Sequence, residues 1–359
     1  MDTKSLEIRN QKIIDAVLKK AERDYPGSLA ALGIYGSFVT GDIHPRSDLD
    51  LLILINDDQG DVLSRCFIQD DLGVGHDIYC TRWEWLEEDA KYSSPNIGKL
   101  MDSKMLCFSD KAAEERFMKL REDARAVLAA PFSKEDFEKA EGQLKEALNY
   151  FVKLILTEDL AEGRAMAGAV LYYLEDAVAM LNKHYFRLGA RRIYEELNSL
   201  EKRPEKLTDL IEDLVSADSL ESLKQAGISL VRETSACFET VKKSFEEPKE
   251  APSADNLRGT YEEMVSNWRG KMHLAAETGD RHLAFTSLDN LDAMLEDIAA
   301  GAAIEKPQAM AAYDPKDLEK SEAGYDEVLK IYAEEYRKAG LQIDRFPDID
   351  AFVKAYLEE

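Results

Sequence analysis

Gly36-Ser37-Phe38-Val39-Thr40-Gly41-Asp42-Ile43-His44-Pro45-Arg46-Ser47-Asp48-Leu49-Asp50-Leu51-Leu52-Ile53-Leu54-Ile55 is the stretch that decides the fold of this 359-residue chain. It follows a short apolar run at 30–35 and ends in a second run, 48–55, still richer in aliphatic residues. Two such runs punctuated by glycine read as strands. A strand that ends in Gly-Ser lets the backbone approach a ligand closely, with N–H groups and a hydroxyl that can face phosphate oxygens. Asp48 and Asp50 sit two apart at the entrance to the second strand, and a period of two puts both carboxylates on one face. Such a pair beside a phosphate cradle suits Mg²⁺, a hard cation that completes its shell with phosphate oxygens and water.

Outward from this stretch, residues 75–80 alternate polar and apolar as a third strand. Asp77 is the only acid inside it, and a two-metal phosphoryl-transfer site requires such a further carboxylate. Asp70 and Asp71 are the alternatives should the register differ. The first 25 residues read as an amphipathic helix rather than a secretory signal. From Pro131 the pattern turns helical. Ser133 to Asp136 reads as a capping box with Asp in the place usual for Glu. Periodic stretches follow at 137–156, 163–188, 190–200, 206–215 and 220–245. The polar, proline-bearing segment 246–253 has the composition of a linker. Further helices are expected at 256–278, 281–300, 314–339 and 349–357. The fold class expected is α+β: a small mixed-sheet domain over 1–130, a helical bundle over 131–247 and an additional helical domain over 254–359.

Composition narrows the function. The chain is 45% hydrophobic, enough to bury cores, and its length suggests two or three domains at about 100 to 200 residues each. Lys and Arg number 46 against 71 Asp and Glu, a net charge of −25, which repels phosphate backbones and disfavours a nucleic-acid binder. No apolar run reaches the roughly 18 residues of a membrane span. Four scattered cysteines without a Cys-x-x-Cys, and five histidines without metal-ligand spacing, argue for reduced thiols in the cytoplasm and against a zinc hydrolase.

The sequence Gly-Ser after one strand, Asp-x-Asp in the next and a further Asp in a later strand resembles the polymerase-β-like nucleotidyltransferase superfamily. In particular, Gly36-Ser37, Gly41 and Pro45-x-Ser47-Asp48-x-Asp50-Leu51-Leu52 resemble bacterial antibiotic nucleotidyltransferases of the streptomycin and kanamycin type, in which a helical domain follows the catalytic one. The resemblance implies that Asp48, Asp50 and Asp77 are the catalytic carboxylates and hold two Mg²⁺ ions. It implies that Gly36 and Ser37 bind the triphosphate of ATP or another NTP, with Arg46 and Ser47 beside them. It further implies transfer of a nucleoside monophosphate to a hydroxyl of a small acceptor, with release of pyrophosphate; the acidic balance of the chain favours a cationic acceptor over a nucleic acid, and the lack of an apolar span leaves no membrane partner expected.

Two alternatives stand beside this reading. The long third domain favours a protein-modifying or regulatory adenylyltransferase. A non-catalytic nucleotide-binding scaffold is opposed by the intact Asp-x-Asp. In the helical region, Glu175 and Asn182 share a face that can point into an interdomain cleft. Arg191, Arg192, Lys183 and Lys202 form a cationic cluster suited to a triphosphate or to a solvated face.

Overall fold

The computed structural model describes residues 3–358. In α1 (Thr3–Asp24), Ile14, Val17 and Ala21 recur at helical spacing and are buried. Then come β1 (Leu29–Ile34), the single-turn α2 (Ser37–Thr40) and β2 (Leu51–Ile55). All five side chains of β2 are buried, as in a strand covered on both faces. Its period of two sorts them: Leu51, Ile53 and Ile55, with Leu49, join the α1 side chains in one core. Leu52 and Leu54 enter a larger core on the opposite face.

The chain continues through β3 (Arg65–Gln69), β4 (Val74–Ile78), β5 (Cys80–Arg82), α3 (Trp83–Ala90), α4 (Gly98–Met101), β6 (Lys104–Phe108) and α5 (Lys111–Ala129). The main sheet has the order β5-β2-β1-β6. β1 is antiparallel to both β2 and β6, while β5 runs parallel to β2. β3 and β4 form a separate antiparallel pair. The third strand expected at 75–80 is therefore divided at Tyr79 between two sheets.

The helical region comprises α6 (Lys134–Leu156), α7 (Leu160–Leu181), α8 (Ile193–Ser199), α9 (Leu207–Val215) and α10 (Leu220–Lys242). Ser133 caps α6. Its Oγ accepts the Asp136 N–H at 3.1 Å, and the Asp136 carboxylate accepts the Ser133 N–H at 2.9 Å, so two otherwise orphaned donors are satisfied. The stretch expected as one helix over 163–188 stops at Leu181. Asn182 caps it, and Lys183 takes a positive φ of 50°. The core that receives Leu52 and Leu54 runs on through Trp83, Leu86 and Phe117 to Phe137, Leu144, Leu174, Leu230 and Phe238. Sheet and bundle share it, and residues 1–246 form one compact unit.

The second unit, 247–359, contains α11 (Ala254–Leu257), α12 (Thr260–Met264), α13 (Gly270–Thr278), α14 (Arg281–Gly301), α15 (Leu318–Lys338) and α16 (Ile349–Glu358). The single helix expected over 256–278 is interrupted by Gly259 at φ 82° and by a π turn over Val265–Arg269. Tyr325, Tyr332 and Tyr336 of α15 fill its core, and each hydroxyl has a partner: the Met264 carbonyl, Thr260 Oγ1 and the Gly259 N–H. Among the described residues no helix is long and apolar enough to cross a membrane. The architecture is α+β, a small mixed sheet followed by helices.

Candidate active site

β1 ends in a backbone that only glycine accommodates. Gly36 has φ 66° and ψ −148°, and a Cβ there would lie 1.9 Å from Asp50 Oδ2. The carboxylate of Asp50 thus rests on the bare Gly36 backbone and accepts the Ser37 N–H. Beside it the Tyr35 N–H donates to the Asp50 carbonyl at 3.1 Å, which fixes the Asp50 backbone against the end of β1. Replacing Gly36 by alanine is expected to push this carboxylate aside and to cost about 1–3 kcal/mol of stability from backbone strain and the close contact. Urea denaturation of Gly36→Ala against wild type measures it.

Asp48 and Asp50 are half-buried between the fully covered Ser47, Leu49 and Leu51. Alternation sends the leucines to the α1 core and both carboxylates to the opposite face, as the spacing requires. Burial, and then the neighbouring charge of Asp48, push the Asp50 carboxyl up to about 6, against the Ser37 N–H that favours its anion. Two acids sharing a site without a cation resist full ionisation.

Both acids open into a cavity of about 680 Å³, in the range of small-molecule sites. Gly36, Ser37, Arg46 and Ser47 line the same cavity. Ser47 serves the fold as well: its Oγ accepts the His44 N–H at 3.0 Å and its N–H donates to the His44 carbonyl at 2.9 Å, closing the turn before Asp48. Arg46 is exposed. Asp77 stands elsewhere. It lies exposed on β4, its carboxylate accepts the Cys66 thiol at 2.9 Å, and it is not among the residues lining the cavity.

The facing wall comes from the bundle. Tyr172, Glu175 and Asp176 of α7 line it, together with the loop that carries Phe186, Arg187 and Arg191. Burial, reinforced by Asp176, pushes the Glu175 carboxyl up to about 7. Burial raises Asp176 to about 6, offset by the Asn96 amide at 3.4 Å. Asn182, by contrast, is a structural cap whose amide joins the Val178 and Lys202 carbonyls.

The cationic cluster separates in space. Arg192 pairs with Asp42 and Glu195, Lys183 pairs with Asp136, and Lys202 lies 3.6 Å over the Phe132 ring. Arg191 lines the cavity, exposed and in no ion pair among the described residues. Asp176 was not singled out from the sequence. Its signal was there, two adjacent acids inside the apolar run of α7, where an unpaired charge is costly.

Among the described residues no group of three or more His, Cys, Asp or Glu side chains gathers as a complete metal cage. Two carboxylates facing an open cavity are nonetheless the donor set Mg²⁺ uses when substrate phosphates and water supply the rest. No curated protein matches the sequence. Residues 14–153 match the model of the nucleotidyltransferase domain. That span includes the whole of Gly36 to Ile55, the mixed sheet and Asp77, while Glu175 and Arg191 lie beyond it. The chain therefore carries a nucleotidyltransferase domain of the polymerase-β-like superfamily and is a nucleotidyltransferase.

Proposed function

We propose that the protein moves AMP from ATP to a hydroxyl of a small cationic acceptor, such as an aminoglycoside-like antibiotic, and releases pyrophosphate. The observation that carries this reading is one cavity with two carboxylate walls, Asp48 and Asp50 from the sheet and Glu175 and Asp176 from the bundle. The first wall suits metal-bound triphosphate, and the second suits an acceptor bearing amines. An excess of acid over the whole chain draws a polycation and repels an RNA or primer strand.

Asp48 and Asp50 would hold Mg²⁺ together with substrate phosphates and water; the ion, once bound, supplies charge neutralisation at the triphosphate and acidifies the attacking hydroxyl. Asp77, exposed on β4 and hydrogen-bonded to the Cys66 thiol outside the cavity, is left out of this set. Gly36, Ser37, Ser47, Arg46 and Arg191 would receive the triphosphate oxygens. The acceptor oxygen forms its bond to the α-phosphorus as the bond to pyrophosphate breaks, and Glu175 takes the hydroxyl proton. A carboxylate raised to about 7 is matched to that task. With free cysteines throughout the described residues, the setting we assign is the cytoplasm.

A protein acceptor is the second reading. It is favoured by α16, whose Ile349, Tyr356 and Leu357 are largely exposed. The deciding experiment measures pyrophosphate release from each NTP with Mg²⁺ across a panel of aminoglycosides. Release that depends on ATP and on a panel member is expected. ATP binding with no stimulation by any member would overturn the small-acceptor reading in favour of the protein one.

A further inference from the structure

We propose that Arg9, on α1 and outside the cavity, is a positioning residue that sets the affinity of the carboxylate pair for its divalent cation, an inference that rests on the metal-binding role given above to Asp48 and Asp50. Arg9 Nη2 donates to the Ser47 carbonyl at 2.7 Å across 38 residues of sequence. That carbonyl belongs to the peptide unit whose nitrogen is Asp48's own. Because the unit is planar, holding its oxygen fixes the direction in which Asp48 leaves the turn. The turn itself engages the Ser47 N–H as donor and its Oγ as acceptor in bonds with His44, which leaves the hydroxyl proton free, and Arg9 takes the carbonyl.

The guanidinium is itself held. Its Nε and Nη2 donate to Asn10 Oδ1 at 3.0 and 2.8 Å, and Asn10 is 5% exposed. One planar fork thus reaches two acceptors at once, which a lysine ammonium cannot reproduce from the same stem. Arg9 Nη1 is buried without a partner, as is Asn10 Nδ2. Buried donors left unpaired are unfavourable, so this arrangement is kept against a local cost. A cation placed behind a cation site looks counterproductive on charge alone. Tether and charge therefore make opposite forecasts.

Titration of the metal-free protein with Mn²⁺, followed by the EPR signal of the free ion, separates them in wild type, Arg9→Lys and Arg9→Met, with Asp50→Ala as the blank. Thermal midpoints are recorded beside it. If the tether governs, both variants bind Mn²⁺ about tenfold more weakly at an unchanged midpoint. If charge governs, Arg9→Lys keeps wild-type affinity and Arg9→Met binds as well or better, and either result overturns the proposal. Should Arg9→Met not fold, Arg9→Lys alone decides. Equal Mn²⁺ binding by wild type and Asp50→Ala would instead overturn the metal reading beneath it, and this inference with it.

Discussion

Asp50→Asn should abolish nucleotidyl transfer, lowering kcat/KM by about 10³-fold or more, while raising rather than lowering the stability of the metal-free protein. Asparagine keeps the shape of the side chain and an oxygen to accept the Ser37 N–H, so the turn at Gly36 is preserved. What disappears is the negative charge. Burial and the Asp48 charge hold the Asp50 carboxyl at about 6 in the folded chain, above its ordinary value of 3.8. A raised acid stabilises the fold below its unfolded pKa, and this contribution is lost as pH rises through about 6. At pH 8 the wild type therefore carries a penalty that asparagine removes, about 1–2 kcal/mol once solvent screening of this part-exposed group is allowed for. Thermal unfolding in EDTA at pH 8, alongside pyrophosphate release with Mg²⁺, reads both effects. An asparagine variant that retained activity within tenfold of wild type would sink the assignment.

Glu175→Gln is expected to lower kcat by about 10²- to 10⁴-fold, the usual contribution of a positioned base, with the KM for ATP little changed. Wild-type kcat/KM should rise with pH through about 7 as Glu175 gives up its proton, and the variant should lose that limb. Stability provides an independent check. The folded pKa lies near 7 against an ordinary 4.5, because burial and then Asp176 disfavour the anion, so the wild type loses stability between those pH values. Glutamine does not titrate and should be more stable at pH 8 by about 2–3 kcal/mol. Loss of activity with the pH limb intact would move proton acceptance to Asp176.

The placement of Asp48 and Asp50 on one face was legible because it obeys local rules. A period of two places Asp48 and Asp50 together wherever the following strand is buried, and a glycine before serine marks a tight approach, here made by the Asp50 carboxylate itself. Less was legible where local patterns mislead. Residues 75–80 alternate without a break, and nothing in them announces that Tyr79 separates two sheets. β3 is exposed along nearly its whole length and its apolar run is only three residues, Cys66 to Ile68, while β6, Lys-Met-Leu-Cys-Phe, has no β-branched residue; neither was anticipated. The facing wall was the hardest to see. Glu175 and Arg191 share a cavity with the aspartates only because helices far along the chain pack back toward the sheet, and the loop holding Arg187 and Arg191 begins where the helical periodicity of the sequence continues.

The continuous core beneath β2 has a meaning for how such a protein can be recombined. A piece cut at residues 14 and 153 would start midway through α1 and stop inside α6. It would carry the aspartates but leave Leu52 and Leu54 without the bundle side chains that complete their core. The two carboxylate walls of the cavity thus cannot be shuffled as separate cassettes. The compact block that keeps this core whole is the unit that ends near residue 246, and both walls travel with it.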